Sequence, residues 1–159
     1  MAERPRLPAR IVSGAQTGAD RAALDAGLEL GIETGGWVPR GRLAEDGIVP
    51  ARYPNLRESD SKNPARRTEL NVRDADATLI LSHGPLSGGS ELTRKLAASL
   101  GKPFLHLNLA ALDPEEAKRA LADWLRAQQP ATLNVAGPRA SQDPGIYAAT
   151  LGVLRSALA

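Results

Sequence analysis

Short apolar runs bounded by glycine, proline and small polar residues recur along the chain, and a stretch of helical period follows almost every one. Residues 9–14, "ARIVSG", read as a buried strand. The next segment places Ala19, Ala22, Ala23, Ala26 and Leu30 on one face, at the spacing of an amphipathic helix. A contact face made mostly of alanine predicts a helix lying close to a sheet. "GIETGGWVP" reads as a turn and a second short strand. From Arg40 to Pro64 no clear period is visible, which in a compact domain usually marks a functional or mobile segment. Regularity returns with "ARRTELNVRDA" as a helix and "DATLILSHG" as the clearest strand. "SGGSELTRKLAASLG" follows as a helix and "KPFLHLNL" as a strand. In "DPEEAKRALADWLRAQQ", Pro114 opens a helix with Ala117, Ala120, Leu121, Trp124 and Leu125 on one side. "ATLNVAGP" is the last strand, and the closing helix carries Ile146, Ala149, Thr150, Val153, Leu154 and Ala157.

Strands alternate with helices and are apolar on both faces. That pattern predicts an α/β three-layer sandwich, with a mostly parallel sheet of about five strands covered on both sides. A length of 159 residues fits one domain spanning 1–159.

Composition narrows the function. Cysteine is absent, which excludes disulfides and thiolate metal sites and fits a reducing compartment. The start, "MAERPRLPAR", lacks the apolar run of a signal peptide, and no stretch is long and apolar enough for a membrane span. A cytoplasmic protein without a membrane partner is expected. Net charge is only +2 and aromatic residues are 3%, so a nucleic-acid partner, single-stranded DNA included, fits poorly.

Three loops leave strand ends and run into helices: "SGAQTGAD" (13–20), "HGPLSGGSELT" (83–93) and "NVAGPRAS" (134–141). In an open parallel sheet, ligands bind at such carboxyl ends, and helix starts offer free N–H groups to phosphate or carboxylate. In the first loop, Gly14 and Gly18 allow close backbone approach, while Gln16 and Thr17 could bond a ligand's oxygens. The same residues also suit plain packing, with Thr17 as an N-cap and Asp20 completing a capping box. In the second loop, Ser87, Gly88, Gly89 and Ser90 strengthen the anion reading. Glu91 suits the helix dipole better than the role of a base or ribose acceptor. In the third loop, Asn134 and Gly137 accompany Arg139, a candidate anion clamp. Arg67, Thr68 and Asn71 share a helix, and solvent exposure is the default for them. Arg40, Arg42, Glu45 and Asp46 would pair with one another on the surface, or form a lid over a bound anion. His83 and His106 have no neighbouring ligand pattern, so no protein-built metal site is expected, and neither a Ser-His-Asp nor a paired-carboxylate arrangement stands out.

The blocks "SGAQTGADRAALDAGLELGI", "GGWVPRGRLAEDG", "PARYP", "RTELNVRDADATLILSHGPLSGGSELT" and "LNVAGPRAS" resemble the putative molybdenum carrier family. These are the circularly permuted YpsA-like members of the SLOG superfamily. The resemblance runs from about Arg10 to the last helix. It implies a Rossmann-like sheet, a site for a nucleotide-like or phosphorylated small molecule, and frequent homo-oligomers. Gly14, Gln16, Thr17, Gly18, Asp20 and Arg21 match its first glycine-rich block. Ser87, Gly88 and Gly89 match the second, and Asn134, Gly137, Pro138 and Arg139 the third. Ala15 stands where the family tends to carry glycine, and Ala75 and Ala77 replace an expected serine and glycine beside Asp76. Superfamily relatives that cleave nucleotide N-glycosidic bonds use P-G-G-x-G-T-x-x-E. Here Glu91 stands at the third glycine and Lys95 at the glutamate, so that catalytic carboxylate is out of register.

The sequence therefore supports first a binding or carrier protein for a phosphorylated small molecule, either nucleotide-like or molybdenum cofactor. The alternative is a nucleotide hydrolase using Glu91 or Asp20.

Overall fold

A computed structural model describes residues 7–159. Residues 1–6, part of the stretch read as lacking a signal peptide, lie outside the described residues. In chain order the elements are β1 (Arg10–Val12), α1 (Ala19–Leu30), β2 (Glu33–Val38), β3 (Leu43–Ala44), β4 (Gly47–Ile48) and β5 (Leu56–Glu58). Then come α2 (Pro64–Asp74), β6 (Ala77–Ser82), α3 (Gly88–Ser99), β7 (Phe104–Asn108), α4 (Pro114–Gln128), β8 (Thr132–Ala136) and α5 (Ile146–Leu158).

Six strands form one sheet in the order β5-β2-β1-β8-β6-β7, and every neighbouring pair is parallel. The expected α/β sandwich is therefore present with one strand more than predicted. That strand, β5, lies in the stretch without period, and its register Gly36↔Leu56 to Val38↔Glu58 extends the sheet beyond β2. The same stretch holds the two-residue strands β3 and β4, an antiparallel hairpin apart from the main sheet.

Helices α1, α4 and α5 pack together on one face, and α2 packs against α3 on the other. Alternation of apolar strands with one-sided helices explains the division. All six residues of β6 are buried, as two covered faces require. Ala19, Ala22, Ala23 and Ala26 of α1 are fully buried against the strands and α5, with Ile11, Leu79, Leu133, Leu121 and Leu154 in the same core. A smaller cluster of Ala15, Leu24, Val38, Val49 and Tyr53 fixes the irregular segment to α1 and β2. Ala75 and Ala77 are buried beside the sheet, a packing role. Helix α4 begins with a full capping box between Asp113 and Glu116, and Asn63 caps α2. No helix among the described residues is long and apolar enough to cross a membrane.

Candidate functional site

The chain leaves β1 toward β2 on one side of the sheet, whereas β6 and β7 lie on the other side of β8. The order reverses beside β1 and β8, so the loops after β1, β8 and β6 meet at one edge. There they border an open cleft of about 360 Å³, lined by Gln16, Asp20, Gly88, Gly89, Ser90, Gly137 and Arg139. This volume suits a small molecule. Arg67, Thr68, Thr93 and Gln142 complete the walls, so helix α2 contributes as much as the glycine-rich loops.

Arg67 does not lie in solvent. A Cβ on Gly14 would stand 2.6 Å from Arg67 Nε and 2.7 Å from its Cζ, so the missing side chain makes room for the guanidinium. Arg67 Nη1 donates to Thr68 Oγ1 at 2.9 Å, but Nε is buried without a partner. Asn71 is not solvated either; its amide accepts from Trp37 N and donates to Trp37 O. Gly137 answers a second close approach, since a Cβ there would meet Ala19 Cβ and Leu81 O, each at 2.6 Å.

Asp20 is 4% exposed. Its carboxyl is pushed up to about 6 by burial, which the charge of Arg67 and the backbone N–H of Gln16 only partly offset. The capping box read from Thr17 and Asp20 is not formed. Gly18 is the N-cap of α1 and no side chain caps it. Thr17 Oγ1 instead donates to Glu45 and accepts from Ala140 N at 3.0 Å, tying the first loop to the third. The first loop's amides are largely spoken for: Ala15 N bonds Ser13 Oγ, Gln16 N bonds Asp20 and Thr17 N bonds Gln16 Oε1. The start of α3 differs. Ser87 provides no side-chain cap, and Cβ atoms on Gly88 or Gly89 would meet nothing closer than Gln142 Nε2 at 3.9 Å. Bare backbone forms that wall.

The remaining predicted residues are not among those that line the cleft. Arg21 turns away to Asp46, with both Nη atoms on its carboxylate at 2.5 and 2.8 Å, and its Nε donates to Ala15 O. Arg40, Arg42, Glu45 and Asp46 do not pair with one another as expected of a surface cluster. Arg42 donates to the carbonyls of Val49 and Pro50. Exposed Arg40 has only its backbone N–H bonded, to Ser61 O. Glu45 accepts from Ser141 N and Oγ at 3.1 and 2.5 Å and lies 3.5 Å from Arg139 Nε, so the β3–β4 hairpin is fastened to the rims of two loops. These bonds, led by that of the Ser141 hydroxyl, lower the Glu45 carboxyl. Ala15 adopts φ 56°, the left-handed conformation that favours glycine. Glu91 sits in the first turn of α3 but binds Arg94, which lowers its carboxyl. Asn134, inside β8, donates to Thr78 Oγ1 at 3.3 Å.

A second cleft of about 340 Å³ adjoins the first across Ser90 and Gln142 and is lined also by Ser87. Here the fold assembles a pair that the sequence conceals, His83 Nδ1 lying 2.6 Å from Asp143 Oδ2. No local spacing could have shown it. Ser82 Oγ lies 2.7 Å from both Gly84 O and His106 Nε2. Among the described residues no group of three His, Cys, Asp or Glu could hold a metal ion.

The model of the circularly permutated YpsA SLOG family matches residues 11–158. The chain belongs to that family. A crystal structure of a putative molybdenum carrier protein from Syntrophus aciditrophicus SB is 48% identical and superposes with a TM-score of 0.95, covering 99% of this chain and 98% of that one. No curated protein matches. In this SLOG chain the glycine-rich blocks and Arg67 thus border one cleft at the reversal of strand order.

Proposed function

We propose that this protein binds and carries a phosphorylated small molecule in the cleft between the ends of β1, β8 and β6. The observation that carries the reading is Arg67, whose guanidinium lies over Gly14 in a cleft walled by the uncapped start of α3. Such a donor, the free backbone N–H groups and the helix dipole all favour an anion. The similarity to a protein named as a molybdenum carrier makes molybdenum cofactor, a pterin phosphate, one candidate. The residues fit its phosphate: Arg67 and the backbone at Gly88 and Gly89 would hold it. The group brings its own dithiolene to the metal, a role this cysteine-free chain cannot fill. Calorimetric titration with inorganic pyrophosphate tests the reading. Arg67→Ala should weaken binding by about tenfold or more, as expected for a lost charge-assisted bond. Gly14→Ala should do likewise by displacing the guanidinium. Unchanged affinity in Arg67→Ala would sink the reading.

The pair His83–Asp143 favours a second reading, hydrolysis of a nucleotide. With Nδ1–H held by Asp143, Nε2 is the ring nitrogen free to exchange a proton in a cleft continuous with the anion site. Glu91, its carboxyl lowered by the bond to Arg94, is the poorer base. Incubation with nucleoside monophosphates and ADP-ribose, followed by mass spectrometry, should release base or phosphate if this reading holds. His83→Asn should then abolish turnover, and Glu91→Gln should leave it unchanged. Intact retained compounds would leave the carrier reading alone.

A further inference from the structure

Adjoining the main cleft is a recess of about 10 Å³, room for a single water-sized group, whose walls include Gly14, Asp20, Arg67, Thr93 and Asn134. Nearly all its polar side chains are already committed. Asn71 is bonded to both backbone groups of Trp37, and Asn134 donates to Thr78. Thr93 Oγ1 donates to Gly89 O at 2.8 Å, and Thr68 Oγ1 donates to Pro64 O while accepting from Arg67. Two groups retain capacity. Arg67 Nε–H is a buried donor without an acceptor. The Asp20 carboxylate receives only backbone N–H groups, from Gln16 at 3.3 Å and from Gly14. An ionised carboxylate has room for about four such bonds.

A buried donor and an acceptor among the residues that line one small space define what complements them. A second phosphate would meet the charge of Asp20, and an ammonium would meet that of Arg67. A methyl group would leave both unpaired at a cost. A hydroxyl satisfies both from a single oxygen, accepting from one and donating to the other. Asp20, Arg67, Thr68 and Thr93 also line the main cleft, so the recess opens beside a molecule bound there.

We propose that this recess receives a hydroxyl of the bound ligand, which donates to Asp20 and accepts from Arg67 Nε. The ligand is then a sugar phosphate or ribonucleotide, with a hydroxyl near its phosphate. This rests on the anion reading of the cleft and narrows it. The test uses the whole protein with four probes in calorimetry: inorganic phosphate, AMP, 2′-deoxy-AMP and 3′-deoxy-AMP. Removing the recognised hydroxyl should weaken binding by about tenfold to a hundredfold, the loss expected when a built polar site is left unpaired. Asp20→Asn, close in shape, should shrink that ratio toward one. Equal affinity for AMP and both deoxy compounds would overturn the proposal. So would a ratio that survives in Asp20→Asn. If that variant does not fold, the wild-type comparison decides alone. Failure of all four probes to bind would instead defeat the anion reading, a result distinct from equal binding.

Discussion

At Gly14 a methyl group would occupy the place now taken by Arg67 Nε, and that exchange shapes the floor of the cleft. Asp20, Gly88, Gly89 and Arg139 are legible in the sequence because each sits in a loop that adjoins a strand end. Arg67 is not, because its partner Gly14 lies on a different element and no local period joins them. Thr17 escapes a local reading for a related reason: its hydroxyl serves Glu45 and Ala140, both distant in sequence. Asp20 leads to a prediction about pH. Its folded value of about 6 exceeds the ordinary 3.8, chiefly through burial, so between these values the folded chain holds a proton that the unfolded chain has lost. The contribution of this group to stability is therefore fully present below the lower value and declines as pH rises through about 6. A gap of that width between the folded and unfolded values corresponds to about 3 kcal/mol. Urea unfolding at about pH 4 and pH 7 should show that Asp20→Asn lacks this decline. Parallel pH profiles for the two proteins would refute it.

Among the elements, the stretch from Arg40 to Pro64 is the least readable, and its strands explain why. Pieces of two or three residues are too short to display a period, and β5 is recognisable only through its pairing with β2. The tip of the β3–β4 hairpin carries side-chain bonds, Glu45 to the third loop and Asp46 to Arg21. Bonds of this exposed kind contribute little to global stability. Glu45→Ala should therefore change unfolding free energy by less than about 1 kcal/mol while speeding hydrogen exchange at residues 43–48. The Glu45 carboxyl is held below its usual value, so the latch should be complete at neutral pH and loosen only as acid titrates it through that lowered value. Unchanged exchange in Glu45→Ala would show that backbone contacts alone hold the hairpin.

For the molecule as a whole, alternation of strand and helix is enough to predict a parallel α/β sandwich, because burial on both faces writes itself into each strand. Strand order is not readable in this way, since neighbours in the sheet need not be neighbours in the chain. The last strand, β8, lies between β1 and β6 near the middle of the sheet. The order of synthesis then acquires a meaning. While a ribosome is still making residues 132–136, the strands already made form two separate ribbons, each with an unpaired inner edge and no seam between them. The main cleft, bordered by loops from both ribbons, cannot yet exist. A chain ending at Gln129 should show no cooperative unfolding transition and should aggregate through those open edges. A sharp melting curve for that fragment would contradict this. The two ribbons are joined, and the binding site comes into being, only once β8 has been added between them.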